Sequence, residues 1–299
     1  MLTGPVLATP TLPEPVTATL QFRPPLDARS LLDFLRLRTV MGIERVRDDI
    51  YARTLRLPHG PASFRLQVRP ERVEARVWVT DAADLGTAVE RCRHLLDLDA
   101  DPTEIDGHLG NDPHLAHSVA AHPGLRVPGH VDGFEVAVRA VVGQQISVAG
   151  ARTALGRLVA EYGEPHHGSE GLTHLFPGAD RLSTADPERL PMPRSRGRAL
   201  IALAGAVQSA ELALDRSADR TQARRTLLAL PGIGPWTADY IALRALGDPD
   251  VFMGTDLGVR QGLARLGIAD AGPDVVRAWA PWRSYALMHV WKSLDEEPR

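Results

Sequence analysis

The stretch Thr226-Leu227-Leu228-Ala229-Leu230-Pro231-Gly232-Ile233-Gly234-Pro235-Trp236-Thr237-Ala238-Asp239-Tyr240 reads as two helices joined by a tight glycine turn. An apolar helix over 218–229 ends at Leu230, because Pro231 has no N–H to continue it. Gly232 and Gly234 admit the positive φ of a tight turn. Pro235 suits the first position of the next helix, predicted over 235–246. Ile233 sits between the glycines, where it can plug the cleft between the helices. The amides near Gly232, Gly234 and Trp236 then face outward at a helix N-terminus, a ready anion site. Taken alone, the pattern serves equally as a corner between helices or as a grip on a DNA phosphate.

The flanks tilt that balance. Residues 191–230 carry seven arginines (Arg194, Arg196, Arg198, Arg216, Arg220, Arg224, Arg225) against three acids (Glu211, Asp215, Asp219). A basic surface beside such a hairpin suits a DNA backbone. Trp236 and Tyr240 stand four residues apart on one helix face, a spacing that by itself reads as core. Farther on, Val251-Phe252-Met253-Gly254-Thr255-Asp256-Leu257 turns into a helix predicted over 256–266, where Asp256 taken alone is an N-cap. Pro281-Trp282-Arg283-Ser284-Tyr285-Ala286-Leu287-Met288-His289-Val290-Trp291 adds aromatics to a chain with only 5% of them.

Over all 299 residues, 34 Lys+Arg against 37 Asp+Glu leave a net charge of -3, which argues against a cationic DNA-coating protein but leaves room for a local patch. No apolar run approaches the roughly 18–20 residues of a membrane span. Met1-Leu2-Thr3-Gly4-Pro5 lacks the basic and apolar regions of a signal peptide. Cys92 is the only cysteine, which excludes an internal disulfide, a thiolate zinc site and an iron–sulfur cluster and suits a reducing cytoplasm. Lys292 is the only lysine, so Schiff-base chemistry must use it or the N-terminal amine.

The organisation is α+β. Residues 1–17 are proline-rich and read as a loose arm. Residues 18–98 give a β-α-β-β-β-α order: a strand from Thr17 to Phe22, a helix over Leu31–Met41 capped by Ser30, strands over 50–57, 62–68 and 73–79, and a helix from Thr80-Asp81 through Leu96. That order implies an antiparallel sheet with helices on one face. From 99 to 299 the chain reads as all helical, with a loop over 163–185 that contains His166 and His167. Six carboxylates in 95–118 (Asp97, Asp99, Asp101, Glu104, Asp106, Asp112) read as a solvated face.

The hairpin, the downstream Asp256 and Pro281-Trp282-Arg283-Ser284-Tyr285-Ala286 together resemble the helix-hairpin-helix DNA glycosylases, within them the DNA-3-methyladenine glycosylase II (AlkA-type) branch. The resemblance spans nearly the whole chain. Phe22-Arg23-Pro24-Pro25 and Tyr51-Ala52-Arg53 match the N-terminal part. Pro123-Gly124-Leu125-Arg126-Val127-Pro128-Gly129, Asp132, Phe134 and Gly143-Gln144-Gln145-Ile146-Ser147-Val148 match the middle. It implies a TATA-box-binding-protein-like N-terminal domain before two helical subdomains with the active-site cleft between them. It makes Asp256 the catalytic aspartate and places Trp236, Tyr240, Trp291 and Phe34 around the base. Gly232, Gly234 and Thr237 fall against the DNA backbone. Gln145, with Ile146, falls where the family wedges a residue into the gap left by a flipped nucleotide. Three positions depart from the pattern: Gln145 replaces an apolar wedge, Leu257 replaces an aromatic beside the aspartate, and Thr255 precedes it in place of a second acid.

The resemblance implies a monofunctional, monomeric enzyme of the bacterial cytoplasm and nucleoid that removes alkylated purines from double-stranded DNA. It needs no cofactor, and the hairpin carbonyls of the superfamily can hold a monovalent cation. Alkylated purines of the 3-methyladenine or 7-methylguanine type are cationic, so electron-rich rings attract them. The alternatives are a helix-hairpin-helix protein that binds DNA without cutting, and a bifunctional glycosylase with a Schiff-base lysine where this chain has Trp236.

Overall fold

A computed structural model describes residues 14–268 and 273–295. Most of the arm read over 1–17, and the last four residues of the helical region, lie outside the described residues. The first strand, β1 (Val16–Leu20), precedes a helix, α1 (Ala28–Arg38). Four strands follow: β2 (Glu44–Arg47), β3 (Ile50–Leu57), β4 (Gly60–Val68) and β5 (Val73–Val79). They form one antiparallel sheet in the order β1-β5-β4-β3-β2. Strand β5 alternates as its sequence requires: Val73, Ala75 and Val77 are buried, while Arg76 is exposed.

Three local expectations change. Strand β2 is an addition, a short edge strand of sequence Glu-Arg-Val-Arg that pairs with β3 from Glu44↔Arg53 to Arg47↔Ile50. The cap of α1 is Asp27, whose carboxylate accepts the Ser30 N–H, so Ser30 lies inside the helix. The helix expected from Thr80-Asp81 begins as a single 3-10 turn over Ala82–Asp84 and becomes α2 (Leu85–Leu96).

The rest is helical: α3 (Pro102–Leu109), α4 (Ala116–Ala121), α5 (Gly133–Gly143), α6 (Val148–Tyr162), α7 (Ala179–Ser183), α8 (Arg194–Gln208), α9 (Arg220–Ala229), α10 (Pro235–Arg244), α11 (Leu257–Arg265), α12 (Pro273–Ala278) and α13 (Arg283–Lys292). The loop expected over 163–185 holds more order than its composition suggests. It contains a two-stranded ladder, β6 (Glu164–Pro165) with β7 (His174–Leu175), as well as α7. It also folds back over the sheet: the Thr54 hydroxyl donates to the His174 carbonyl (2.6 Å), and the Ser169 N–H donates to the Ser63 hydroxyl (3.1 Å). This covers the second face of β3, which explains why Ala52 and Thr54 are buried along with Tyr51, Arg53 and Leu55.

The carboxylates of 95–118 are only partly a solvated face. Asp97 is buried and accepts the Tyr285 phenol (2.8 Å), Asp106 accepts the Gly124 N–H (2.7 Å), and Asp112 accepts the Trp279 indole N–H (2.9 Å). These acids anchor the end of the chain and the 123–129 segment to the middle of the fold.

A buried charge cluster joins the sheet to α5. Arg53 of β3 pairs with Glu135 of α5 (2.6 Å), and Arg139 of α5 pairs with Glu44 of β2 (2.7 Å) and with Glu135 (2.6 Å). The Tyr51 hydroxyl donates to Glu44 (2.6 Å). Burial opposes the charge on Glu44, but Arg139 and Arg53 outweigh it and hold its pKa down at about 2. Each ion here has a partner, so the cluster ties β2 and β3 to α5 without leaving an unpaired buried charge.

Candidate active site

The turn between α9 and α10 forms as its residues demand. Leu230 ends α9, Gly232 takes φ +79°, and Gly234 caps α10 with Pro235 at the first position. Ile233 is buried (5% exposed) between the helices, while Pro231, Gly232, Gly234 and Pro235 are exposed. No side chain caps α10, so its first-turn amides remain available to an anion.

Asp256 caps α11, accepting the Val259 N–H (2.9 Å) on Oδ1. It does more than cap. The Trp236 indole Nε1–H donates to Oδ2 (2.8 Å), and the Trp291 indole Nε1–H donates to Oδ1 (3.2 Å). The cap and two ring donors from α10 and α13 orient the carboxylate at the wall of the cleft, and Oδ2 keeps an open acceptor site. Trp236 also stacks on Tyr240, with centroids 5.5 Å apart and planes 14° apart.

These groups line a cleft of about 510 Å³ that also contains Phe34, Arg38, Arg244 and Ile146. Phe34 is buried beneath two cations of its own chain: the Arg38 guanidinium lies 3.7 Å from the ring centroid and that of Arg244 4.7 Å. The open ring surface in the cleft thus belongs to Trp236 and Trp291 rather than to Phe34. Lys292, the only lysine, also lines the cleft and pairs with Asp295 (3.2 Å).

Gln145 and Ile146 stand in the loop between α5 and α6. Gln145 is exposed with φ +56°, a left-handed conformation for a non-glycine residue, and Ile146 is 40% exposed. Leu37 (57%) and Val148 (45%) continue an exposed apolar rim about the cleft, and Leu257, beside Asp256, is 67% exposed. Apolar side chains presented this way suit insertion between base steps.

Sequence reasoning missed the residue that ties this loop to the hairpin. Gln144 donates from Nε2 to the Gly232 carbonyl (3.0 Å) and to the Thr237 hydroxyl (2.9 Å). Arg196 in turn donates to the Gln144 carbonyl (2.6 Å). Gln144 adjoins the wedge position, but only the fold shows that it reaches the hairpin. Arg38 and Arg244 were missed as well, because nothing in their local sequence sets them apart.

The basic stretch 191–230 presents less charge than it contains. Arg194 pairs with Glu188, Arg216 with Asp97, Arg220 with Asp248 and Arg224 with Asp239. Arg196 is spent on backbone carbonyls. Arg198 and Arg225 are exposed with no ion-pair partner among the described residues.

The chain is similar to known proteins. The AlkA N-terminal domain family covers residues 17–132. The chain is 37% identical over 287 residues to "DNA-3-methyladenine glycosylase 2" of Escherichia coli, covering 94% of this chain and 98% of that one. It is 46% identical over 284 residues, 94% of this chain, to the "Probable bifunctional transcriptional activator/DNA repair enzyme AlkA" of Mycobacterium tuberculosis, and spans 57% of that relative's length. The solved 3-methyladenine DNA-glycosylase of Archaeoglobus fulgidus superposes with a TM-score of 0.79 at 20% identity, over 92% of this chain and 97% of that one, a likeness of fold.

Proposed function

The chain belongs to the DNA-3-methyladenine glycosylase 2 family, and on that footing we propose that it is a monofunctional DNA glycosylase of base excision repair. It binds double-stranded DNA, flips out an alkylated purine of the 3-methyladenine or 7-methylguanine type, and hydrolyses the N-glycosidic bond. The observation that carries this reading is Asp256. A carboxylate pinned by two indole donors at the wall of a ring-lined cleft, beside an open helix N-terminus, has the orientation needed to act on a sugar whose phosphate the hairpin holds.

The damaged nucleotide must leave the stack before its bond is reached. The hairpin amides at Gly234 and Thr237 hold the backbone, while Gln145 and Ile146 fill the gap. Gln144 keeps wedge and hairpin in fixed relation. An alkylated purine carries positive charge, and the faces of Trp236 and Trp291 attract it by about 0.5–2 kcal/mol per contact. As the base departs, the sugar gains oxocarbenium character. Asp256 stabilises that charge and takes a proton from the attacking water.

Turnover needs no cofactor. The hairpin carbonyls of Leu230 and Gly232 already accept from Ile233 N–H and Gln144, but each carbonyl keeps a second lone pair, so they remain compatible with a monovalent cation that would brace the turn. We place the protein in the bacterial cytoplasm, acting as a monomer at the nucleoid. Among the described residues no helix is long and apolar enough to cross a membrane.

The test is Asp256→Asn, which keeps a capping side chain and removes the charge. Release of 3-methyladenine from alkylated DNA should fall by about a thousandfold while DNA affinity stays within about threefold. Wild-type release rates in that variant would refute the assignment. Borohydride should trap no enzyme–DNA adduct, although Lys292 lies in the cleft; a trapped adduct that disappears in Lys292→Ala would make the enzyme bifunctional.

A further inference from the structure

The end of the cleft away from Asp256 is organised around a buried cation. Arg244, the last residue of α10, is 8% exposed and has no carboxylate partner among the described residues. Its Nη2 donates to the Gly129 carbonyl (2.9 Å), its Nη1 donates to the Tyr240 hydroxyl oxygen (3.0 Å), and its Nε is buried without a partner. A guanidinium has donors only, so the direction of the bond to Tyr240 is forced: the phenol oxygen accepts. The phenol's own proton must then point elsewhere. Among the described residues no protein group accepts it, and Tyr240 lines the cleft. That proton is left for whatever enters the cleft.

The surrounding charge strengthens the donor. Burial opposes ionisation of Tyr240, but Arg244, then Arg38 and Arg139, outweigh it and bring its pKa below the ordinary value. A more acidic hydroxyl is a better hydrogen-bond donor. The same guanidiniums disfavour a cationic base at this end of the cleft and favour negative charge that develops there.

We propose that Arg244 holds Tyr240 as an obligate hydrogen-bond donor to the departing base, and that this donor serves neutral damaged purines rather than cationic ones. The proposal rests on the glycosylase reading above. When the C1′–N bond breaks, both bonding electrons go to the base nitrogen. A cationic purine leaves as a neutral molecule and needs no donor. A neutral purine leaves with negative charge spread over its ring nitrogens and any carbonyl oxygen, which a hydrogen bond stabilises. Water adds to C1′, its proton passes to Asp256 and then through solvent to the freed base, and Tyr240 keeps its own proton. Tyr240 would touch the base, and Arg244 acts through it as a positioning residue.

The test compares single-turnover excision, at saturating protein, from duplexes carrying hypoxanthine (neutral) or 7-methylguanine (cationic). Tyr240→Phe removes only the hydroxyl and should lower the hypoxanthine rate by about tenfold or more relative to the 7-methylguanine rate. Arg244→Met should give the same pattern, and Arg244→Lys should restore part of the hypoxanthine rate, because an ammonium also donates to the phenol. The proposal is overturned if Tyr240→Phe leaves the ratio of the two rates unchanged, whether both fall or neither does. Wild-type release of 7-methylguanine without hypoxanthine also overturns it. Release of neither base by the wild type would instead refute the glycosylase reading itself.

Discussion

The two ends of the cleft are built from opposite charges. At one end Asp256 is anionic, half-buried and held by neutral donors: two indole N–H groups and a backbone amide. At the other, Arg244 and Arg38 are cationic, surround Phe34, and lack carboxylate partners among the described residues. In the proposed reaction the first end meets the cationic sugar of the transition state and the second meets electron density that moves onto the leaving base, so the cleft would be polarised along the path of the glycosidic electrons. A pocket described only as a box of aromatic rings would miss that.

The largest effects fall at the Asp256 end, and they separate its two roles. Asp256→Ala should lower base release by about a thousandfold, as Asp256→Asn does. Only the alanine variant also loses the α11 cap, at a cost of about 1 kcal/mol. In a chain of this size that lowers the melting temperature by about 2–4 °C, whereas Asn should melt close to wild type. Equal melting points would mean that the bond from Val259 N–H contributes nothing. Next come the ring donors. Trp236→Phe keeps a stacking ring over Tyr240 but removes the shorter indole bond, and should slow excision by about tenfold, the worth of a hydrogen bond to a charged group. Trp291→Phe removes the 3.2 Å bond and should cost less. The reverse order would show that Trp291 sets the carboxylate.

A smaller, pH-dependent effect arises where the helical region packs around the end of the chain. His289 is buried against the Ser118 hydroxyl (3.0 Å), and burial lowers its pKa to about 3; His130 is likewise lowered by burial, to about 4. Unfolded histidine titrates near 6.5, so the unfolded chain binds these protons first. Their stabilising effect is complete above about pH 6.5 and is lost as pH falls toward 4 and then 3, by up to about 1.4 kcal/mol per pH unit for each group. Asp97 and Asp106, pushed up by burial, oppose this trend at lower pH. A His289→Asn variant isolates the first term: its melting temperature should fall less steeply than wild type between pH 6.5 and 4.5. Parallel curves would show that His289 is not held neutral.

The Asp256 end was legible in the sequence and the Arg244 end was not, for a physical reason. The hairpin, Trp236, Tyr240 and Asp256 lie within thirty residues of each other, and turn chemistry constrains most of them locally. Gly232 needs its positive φ and Pro235 its place at a helix start, so these residues announce themselves. Arg38 and Arg244 come from α1 and α10, and only the docking of the sheet domain against α5 brings them over one ring. The same limit hid β2: Glu44-Arg45-Val46-Arg47 has no apolar alternation, and it is a strand because β3 offers it a partner. It also led Asp97, Asp106 and Asp112 to be read as solvated when each accepts a specific donor.

The smallest and most local effect lies where the chain's arginines are most concentrated but mostly paired. The stretch 191–230 holds seven arginines, yet four sit in ion pairs and Arg196 binds carbonyls. Only Arg198 and Arg225 are exposed without an ion-pair partner among the described residues. If the stretch meets DNA through phosphates, those two should carry the interaction. Arg198→Ala with Arg225→Ala should reduce the slope of log affinity against log salt by about two, roughly one for each phosphate no longer neutralised. Arg224→Ala should leave the slope unchanged, because its guanidinium is already satisfied by Asp239 (3.0 Å). Equal reductions in both variants would show that DNA pulls Arg224 out of its ion pair, so that the sequence count, rather than the pairing in the free protein, predicts the bound surface.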